Sequence, residues 1–262
     1  MSSAGPATEI GQAYPDRVEV RGHDLASELM GRMSFTEYFH LLLTGREPTE
    51  QQRFFFDLLL VSIAEHGLMP SNVAARMTLA ADPGALQGAV AAGILGCGPV
   101  VLGASEECAR LLVTAHERVT TGDDPAAAAR ELVREIHARG ERVPGFGHPL
   151  HRPLDPRAER ILELAVERDV GGPYVLLARR LRDAVAETFA KPLPMNVAMA
   201  GAAVWLGLGY PPHTVKSIPI LARTASLLAH LVEEQERPLG LALAAKAEEA
   251  AEYRPRSSED AS

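Results

Sequence analysis

Cysteine, aromatic residues and long apolar runs are all scarce in this sequence. Its 262 residues include 2 cysteines, Cys97 and Cys108, which are too few for a disulfide framework and lack the clustered spacing of a zinc site. We therefore expect a reducing, cytoplasmic location and no bound metal. The two most apolar tracts, 89–104 and 195–210, are shorter than the roughly 20 residues of a membrane helix and contain glycine, so we expect no membrane partner.

Positive charge is scarce as well. The chain has 26 Lys and Arg against 34 Asp and Glu, a formal net charge of −8, which disfavours binding to the phosphates of nucleic acid. With 47% hydrophobic and 23% charged residues, the composition is that of a folded chain and not of a disordered one. The N-terminal residues also lack the basic and apolar regions of a secretory signal.

The periodicity of the apolar residues is helical and predicts an all-α protein of about ten helices. Ser34–Glu37 and Thr49–Gln52 have the form of a capping box, in which the first and fourth residues satisfy each other's backbone N–H groups. With the break at 45–48 they predict a helical hairpin over 34–66. Further helices are predicted over 71–81, 83–96, 105–120, 125–139, 156–169, 172–190, 196–207, 211–236 with a bend near Pro219, and 241–252.

The two ends of the chain depart from this pattern. Alternation over 17–22 predicts a short strand, preceded by a flexible segment at 1–16. The tail, 253–262, is polar, and we predict that it is disordered. The main domain then covers 17–252, with a smaller lobe at 125–190.

A long loop is the first candidate for a functional site. Residues 140–157 include four prolines and three glycines, and a loop of this length inside a domain commonly has a function. A histidine can exchange a proton near neutral pH, and an arginine can hold a carboxylate with two parallel hydrogen bonds. His148, with Arg152 and Arg157, therefore suits an anionic substrate. The alternative is that His148 ties the loop to the core and that both arginines are solvated.

Two more candidates lie outside the loop. His66 follows an apolar helix, where its cationic form is favoured, and a capping role is the simpler interpretation. Arg223 is an always-charged group within an apolar helix, so it needs a partner. That partner is either an internal carboxylate, with Glu233 and Asp57 as candidates, or the carboxylate of a ligand.

In this order, these residues resemble the citrate synthase family over about 18–240, and in particular its short citryl-CoA lyases and the lyase part of ATP-citrate lyase. The loop motif is fairly specific, and the others gain weight from their order. The motifs are Val20-Arg21-Gly22-His23-Asp24-Leu25, Glu65-His66-Gly67, Arg142-Val143-Pro144-Gly145-Phe146-Gly147-His148, Asp155-Pro156-Arg157, Asn196-Val197, Ala222-Arg223 and Glu236-Arg237-Pro238.

The resemblance implies a helical homodimer with an active site between a large and a small domain. It makes His148 the catalytic residue, which donates a proton or a hydrogen bond to the oxygen of an oxaloacetate-type acid. His151 has no counterpart in the motif and is interpreted as a loop-packing residue. The resemblance assigns substrate binding to His66, Arg157, Arg223 and Arg237 of the partner subunit.

Coenzyme A enters through the same resemblance. A coenzyme A thioester is then a substrate, and no cofactor is permanently bound. The residues implied to contact coenzyme A, mainly through backbone groups, are Val143, Pro144, Gly145, Phe146 and Gly147.

Two positions depart from the family pattern. Ala198 replaces the aspartate that removes a proton from the acetyl-CoA methyl group, and Val101 replaces the histidine that polarises the thioester carbonyl. Because a positioned general base contributes roughly 10²–10⁴ in rate, its loss predicts at most a trace of ordinary turnover unless another base takes over. Glu65 and Glu106 are candidate replacements.

Three functions remain open. The first is a family-type enzyme that makes or breaks a carbon–carbon bond between an acyl-CoA and a 2-oxo acid. The second is an enzyme that kept the anion-binding residues but decarboxylates, dehydrates or transfers an acyl group on a related polycarboxylate. The third is a non-catalytic binding subunit, one half of a heteromer in which Arg237 completes the site of a paralogue. We favour an enzyme of the family, since five anion-binding positions without a ligand would leave costly unpaired charges.

Overall fold

The computed structural model describes residues 5–98, 104–148, 150–189 and 193–254, and these are mainly helical, which confirms the predicted all-α class. The chain also forms a π-helical turn, Leu25–Leu29, and a 3₁₀ turn, Pro212–Thr214. The α-helices are α1 (Phe35–Thr44), α2 (Glu50–Ala64), α3 (Pro70–Ala81), α4 (Leu86–Leu95), α5 (Ala104–Thr120), α6 (Pro125–Ala138), α7 (Pro156–Glu167), α8 (Gly172–Phe189), α9 (Val197–Gly207), α10 (Ser217–Glu236) and α11 (Gly240–Ala250).

The strand predicted over 17–22 belongs to a small antiparallel sheet of three strands. β2 (Val18–Val20) pairs with β1 (Gly11–Ala13) on one side and with β3 (His23–Asp24) on the other. β1 lies within the segment 1–16, for which the sequence predicts flexibility. That prediction misses β1 because its three residues are exposed and do not alternate, so backbone pairing with β2 stabilises this strand and not side-chain burial.

The helical hairpin over 34–66 begins at the predicted capping residues. Ser34 and Glu37 form a reciprocal capping box at the start of α1. Thr49 and Gln52 exchange the corresponding hydrogen bonds, of 3.0 and 3.2 Å, at the start of α2. Oγ1 of Thr36 on α1 donates to Oδ1 of Asp57 on α2 at 2.6 Å, so the two helices are in contact and the predicted hairpin is confirmed. Its helix starts are determined by local side-chain chemistry.

The start of α10 corrects the sequence prediction. The sequence predicts one helix over 211–236 with a bend near Pro219, whereas Pro212–Thr214 forms a separate 3₁₀ turn and α10 begins at Ser217. Pro219 then falls in the first turn of α10, where a backbone N–H has no partner within the helix. The predicted bend is wrong because the break precedes the helix.

One helical stretch in the described part of the chain, Pro212–Glu236, is long and apolar enough to cross a membrane by length and composition. However, 44% of its most apolar window is buried within the protein, and the core helix of a water-soluble protein meets the same criteria. This stretch is therefore weak evidence for a membrane span.

The chain divides into two compact units. Unit 1 comprises Met1–Ser62 and Ala104–Ile218, and unit 2 comprises Ile63–Gly103 and Pro219–Ser262. The chain passes between the units three times, within α2, at the start of α5 and within α10. The lobe predicted at 125–190 belongs to the chain range of unit 1 and stays a prediction, and the last eight residues of the predicted disordered tail lie outside the described residues.

The core of unit 1 is arranged around α9, on which α5, α7 and α8 pack. Eight of the eleven residues of α9 are buried, as expected for a helix that is apolar on all sides. Its Trp205 is fully buried, stacks on Tyr210 with ring centroids 3.7 Å apart, and contacts Phe56 of α2. The apolar tract 195–210 is therefore a buried core helix and the turn that follows it.

The core of unit 2 joins α3, α4 and α10 through a cluster of small and branched apolar side chains. These are Ala75, Leu79, Ala89, Leu227 and Leu231. Beside this cluster the unit also buries two guanidinium groups, since Arg76 is fully buried and Arg223 is 2% exposed. Buried charges require hydrogen-bonding partners, and those of unit 2 are described with the site.

Candidate active site

Gly145 fixes the loop 140–157 to helices α5 and α9 of unit 1. Its φ is +81°, and a Cβ at this position would lie 2.6 Å from Cβ of Met199 and 2.8 Å from Sγ of Cys108. Only glycine allows the backbone to approach both helices so closely. The carbonyl oxygen of Gly145 also accepts a hydrogen bond from the backbone N–H of Asn196 at 2.9 Å, just before α9 begins.

The next residues of the loop pair with the segment that precedes α9. The backbone N–H of Gly147 donates to the carbonyl oxygen of Pro194 at 2.8 Å. The carbonyl oxygen of Gly147 accepts from the side-chain amide of Asn196 at 3.3 Å. These hydrogen bonds use some of the backbone groups that the resemblance assigns to coenzyme A, so the contact of 143–147 with coenzyme A stays a prediction.

The loop holds the imidazole of His148 in one tautomer. Nδ1 of His148 accepts from the backbone N–H groups of His151 and Leu150 at 2.9 and 3.1 Å. In a neutral imidazole the nitrogen that accepts carries no proton, so the proton lies on Nε2. The ring of His151 packs on that of His148 with centroids 4.3 Å apart, in agreement with the interpretation of His151 as a loop-packing residue.

The structure brings Arg157 beside His148. Nη2 of Arg157 lies 3.5 Å from Nε2 of His148, and each of these atoms carries an N–H. Two donors do not hydrogen-bond to each other, but one negatively charged oxygen can accept from both. The pair therefore suits a carboxylate, or an oxo oxygen on which negative charge develops.

Asp155 sets the orientation of Arg157. Asp155 is fully buried, and its carboxylate accepts from Nε and Nη2 of Arg157 at 3.0 and 2.8 Å. Burial acts to raise the pKa of the Asp155 carboxyl, but the hydrogen bonds and positive charge of Arg157 outweigh it and hold the pKa below its usual value. The alternative in which Arg157 is merely solvated is therefore wrong, whereas Arg152 is exposed.

Ala198, the position that the resemblance assigns to the general base, is the second residue of α9. Its backbone N–H donates to Oδ1 of Asn196 at 3.0 Å, so Asn196 caps the helix. All of α9 is described, and it contains no acidic residue. Glu106, one candidate replacement base, is ion-paired with Arg110 at 2.5 Å. Val101 lies outside the described residues.

Glu65, the other candidate base, closes the turn of unit 2 that carries His66. It accepts from the backbone N–H of Gly67 and from Oγ of Ser226, both at 2.5 Å, and from Nε2 of His230 at 3.1 Å. Burial acts to raise the pKa of the Glu65 carboxyl, but these hydrogen bonds outweigh it and hold the pKa below its usual value. A carboxylate with a lowered pKa is a weaker base, which makes Glu65 a poor substitute for the aspartate.

Arg223 lies on α10 of unit 2 with two neutral oxygens beside its guanidinium. Nη1 donates to Oδ1 of Asn72 at 3.0 Å, and Nη2 donates to the carbonyl oxygen of Ile63 at 3.4 Å. The carboxylates considered as internal partners, Glu233 and Asp57, accept hydrogen bonds from other residues. A role for Arg223 in binding a ligand carboxylate stays a prediction.

Arg237 follows the end of α10 and is exposed. Its backbone N–H donates to the carbonyl oxygen of Glu233 at 2.7 Å, which ties the start of the connection between α10 and α11 to the helix. The assignment of Arg237 to the site of a partner subunit also stays a prediction.

A partly buried polar network joins α3 and α10 and was not predicted from the sequence. Its centre is Arg76, which hydrogen-bonds His230 and Glu234. The signal was a spacing of three and four between polar residues in two otherwise apolar helices, which places them on one face of each helix. The residues of this face are Asn72 and Arg76 on α3, and Arg223, Ser226, His230, Glu233 and Glu234 on α10.

Known proteins match most of this chain. The family profile described as citrate synthase, C-terminal domain, matches residues 13–240. The citrate synthase of Heyndrickxia coagulans is 31% identical over 209 residues, which are 78% of this chain and 53% of that protein. The citrate synthase of Haloferax volcanii is 30% identical over 203 residues, which are 76% of this chain and 51% of that protein. The chain thus spans about half the length of the curated relatives it matches.

Solved structures give the same result. The citryl-CoA lyase of Hydrogenobacter thermophilus has a TM-score of 0.80 and 27% identity, with 97% of this chain and 96% of that chain covered. The ATP citrate lyase of Methanothrix soehngenii, solved with citrate and coenzyme A, has a TM-score of 0.78 and 19% identity, with 99% of this chain and 43% of that chain covered. This second likeness shows the fold alone. Since the family profile extends over residues 13–240, the chain belongs to the citrate synthase family.

Proposed function

We propose that this protein forms or cleaves the carbon–carbon bond between an acyl-CoA and a 2-oxo acid, with cleavage of citryl-CoA as the reaction best supported. The observation that carries the proposal is the likeness to the citryl-CoA lyase of H. thermophilus, of which this chain covers 96%. By contrast, the chain covers 53% of the H. coagulans citrate synthase. The proposal includes a homodimer in the cytoplasm with no permanently bound cofactor.

The reaction needs stabilisation of a negatively charged oxygen. When citryl-CoA is cleaved, water accepts the proton of its hydroxyl and the carbon–carbon bond breaks. The bonding electrons pass to the methylene carbon beside the thioester carbonyl, and a proton delivered by water converts this carbon to the methyl group of acetyl-CoA. The products are acetyl-CoA and oxaloacetate, so no external oxidant or reductant is involved. In this proposal the N–H groups of His148 and Arg157 bind the oxygen that becomes the oxo group. Donors aimed at such an oxygen stabilise the transition state.

The carboxylates of the acid require further cations. The proposal assigns this binding to His66 and Arg223 and to Arg237 of the partner subunit, since several positive charges are needed for a di- or tricarboxylate. The segment 143–147 binds the coenzyme A portion.

Proton transfer at the acetyl carbon is the step for which the chain departs from its family. Ala198 cannot move a proton, and the carboxylates of Glu65 and Glu106 are engaged by other residues. Because a positioned base contributes roughly 10²–10⁴ in rate, we expect slow turnover with water as the proton carrier.

The absence of an acidic residue in α9 also favours a second candidate function. In that case the protein binds a polycarboxylate or its coenzyme A ester without fast turnover, as one half of a heteromer with a paralogue, or performs a different reaction on it. An ATP citrate lyase of Methanosaeta concilii in which an aspartate is replaced by alanine was solved in complex with (3S)-citryl-CoA. In that relative, a variant with alanine in place of an aspartate therefore binds citryl-CoA.

Calorimetric titration with oxaloacetate and citrate, followed by coenzyme A thioesters, tests ligand binding, which both candidates require. We expect micromolar to millimolar binding of at least one polycarboxylate, the usual range of substrate affinities. Absence of binding to every polycarboxylate would contradict both candidates.

A pair of substitutions at Ala198 separates the two candidates. In Ala198→Asp we expect the rate of citryl-CoA cleavage to rise by about 10² or more, because a carboxyl group that can transfer a proton to the acetyl carbon is restored at the start of α9. Ala198→Asn is the matched control, since it has the same shape but no base, and its rate should stay at that of the unmodified protein. If the two variants are equally slow while the ester still binds, the proposal of cleavage is wrong and a binding subunit is favoured.

A further inference from the structure

Two short turns of unit 2 are each closed by a glutamate. Oε1 of Glu65 accepts from the backbone N–H of Gly67 at 2.5 Å, which closes the His66 turn, residues 65–67. Oε1 of Glu234 accepts from two backbone N–H groups at 2.9 and 2.7 Å, which closes the Arg237 turn, residues 237–240. Each turn carries a residue to which the proposed function assigns substrate binding.

Arg76 holds the Arg237 turn through two neighbouring carboxylates. Nη1 of Arg76 donates to Oε2 of Glu234 at 2.9 Å, and Nη2 donates to Glu233. Burial acts to raise the pKa of the Glu234 carboxyl, but the turn N–H groups and the guanidinium outweigh it and hold the pKa below its usual value. The Glu234 carboxylate therefore stays charged, and it binds Arg76 and the turn at the same time.

His230 joins Arg76 to the His66 turn. Nδ1 of His230 accepts from Nε and Nη2 of Arg76 at 3.0 and 2.9 Å, because a guanidinium can only donate. The proton of the neutral ring is then on Nε2, which donates to Oε2 of Glu65 at 3.1 Å. One tautomer of one side chain thus connects the two turns.

The same network reaches Arg223. Oγ of Ser226 donates to Oε2 of Glu65 at 2.5 Å and accepts from the side-chain amide of Asn72 at 3.4 Å. Oδ1 of Asn72 in turn accepts from Arg223 at 3.0 Å. Three residues to which the proposed function assigns anion binding are therefore attached to one set of hydrogen bonds within unit 2.

We propose that Arg76 and His230 are positioning residues, which hold the His66 turn and the Arg237 turn in one arrangement. This inference rests on the proposed function, because that function makes His66 and Arg237 substrate-binding residues. The planar guanidinium of Arg76 suits the role, since it fixes two carboxylates and a ring in one geometry. A buried charge kept for stability alone is often replaceable by an apolar side chain.

Two substitutions at His230 test the inference without any ligand. His230→Phe keeps a ring but removes both hydrogen bonds, whereas the amide of His230→Gln can still accept from Arg76 and donate to Glu65. In amide hydrogen exchange we expect His230→Phe to speed exchange in both turns at least about tenfold, and His230→Gln to remain within about threefold of the unmodified protein. Thr78→Val is the control on α3, because it removes a hydrogen bond from the side chain to the backbone of Ala74.

Binding of oxaloacetate and of coenzyme A then distinguishes a positioning role of His230 from a general effect on stability. We expect His230→Phe to weaken oxaloacetate binding by about tenfold and to leave coenzyme A binding within about threefold, since 143–147 lies in unit 1. Weakening of both ligands by the same factor would contradict positioning. Unchanged exchange in the two turns, or unchanged oxaloacetate affinity despite faster exchange, would also overturn the inference.

If His230→Phe does not fold, Arg76→Lys replaces it in both measurements. Lysine keeps the charge but lacks the planar fork, so it cannot hold His230, Glu233 and Glu234 together, and we expect the same local exchange and the same selective loss of oxaloacetate affinity. If the unmodified protein binds citrate but not oxaloacetate, citrate replaces oxaloacetate as the probe. If it binds neither, the proposed function fails, and the exchange measurement alone then decides whether the network orders the two turns.

Discussion

Nη2 of Arg157 lies 3.5 Å from Nε2 of His148, and both atoms present an N–H. The loop imposes the tautomer on His148, because two backbone N–H groups occupy its Nδ1. Asp155 imposes the orientation on Arg157, because its buried carboxylate accepts from two guanidinium nitrogens. An oxygen that gains negative charge would therefore meet two donors that need no reorganisation.

Replacement of Asp155 should lower the stability of the folded protein. In Asp155→Asn, one oxygen acceptor becomes an N–H donor that faces Arg157, so we expect a loss of about 2–3 kcal/mol in the free energy of unfolding. Urea denaturation measures this loss. Asp183→Asn is the matched control, because Asp183 forms an ion pair with Arg180 in which both side chains are about half exposed, and its loss should be under about 1 kcal/mol. Equal losses in the two variants would contradict the role of Asp155.

The contribution of Asp155 should disappear in acid. Its pKa in the folded protein lies below the usual value, so its stabilising effect is present above the usual pKa of about 4 and is lost as the pH falls through the folded-state pKa. The difference in unfolding free energy between the unmodified protein and Asp155→Asn should therefore be constant near neutral pH and shrink below about pH 4. Thermal unfolding measured across this pH range checks the direction of the change. A difference in unfolding free energy that grows in acid would refute the prediction.

Removal of the His148 imidazole should lower the rate of cleavage more than it lowers affinity. In His148→Ala we expect citryl-CoA cleavage to slow by about 10²–10³, the usual effect of losing one donor to a developing oxyanion. His213 is an exposed histidine in the 3₁₀ turn of unit 1, so His213→Ala is the control and should change the rate by less than about twofold. Equal effects of the two substitutions on kcat would exclude His148 as the donor.

Two glycines of the loop should differ in their tolerance of a side chain. A Cβ on Gly145 would meet Met199 and Cys108 at 2.6 and 2.8 Å, whereas a Cβ on Gly147, whose φ is +92°, would meet nothing within 4 Å. We expect Gly147→Ala to lower the free energy of unfolding by about 1 kcal/mol, from backbone strain alone. Gly145→Ala should lose at least about 2 kcal/mol more from overlap with the helices. Chemical denaturation of both variants measures these two losses. A larger loss in Gly147→Ala than in Gly145→Ala would contradict the close packing of the loop against α5 and α9.

Cys108 should be inert in the folded protein. Its side chain is fully buried, and burial raises the pKa of the Cys108 thiol far above its usual value, so the reactive thiolate does not form. Burial also raises the pKa of Cys97, which is only partly buried. With iodoacetamide at pH 8 we therefore expect slow labelling of Cys97, and labelling of Cys108 only after denaturation. Mass spectrometry of the native protein measures the order in which the two cysteines are labelled. Early modification of Cys108 would contradict its burial beneath the loop.

Much of the helical framework was predictable from short stretches of sequence. Ser34 and Thr49 begin helices because a hydroxyl and a residue three places on satisfy each other's backbone, and this interaction needs no distant partner. β1 was not predictable in the same way, because its exposed residues show no pattern and only pairing with β2 orders them. The bend near Pro219 was misplaced, because a proline in the first turn of a helix and one in its interior look alike in sequence.

The sequence by itself determined the helices, the loop and the residue types able to bind an anion, because local periodicity, caps and prolines act over a few residues. Only the tertiary structure decided which of these side chains meet. Arg76 and His230 are separated by 154 positions in the chain, and packing of α3 against α10 places them in contact and fixes the tautomer of the ring. The same holds for the loop, since the overlap that excludes a Cβ at residue 145 comes from two helices far away in sequence.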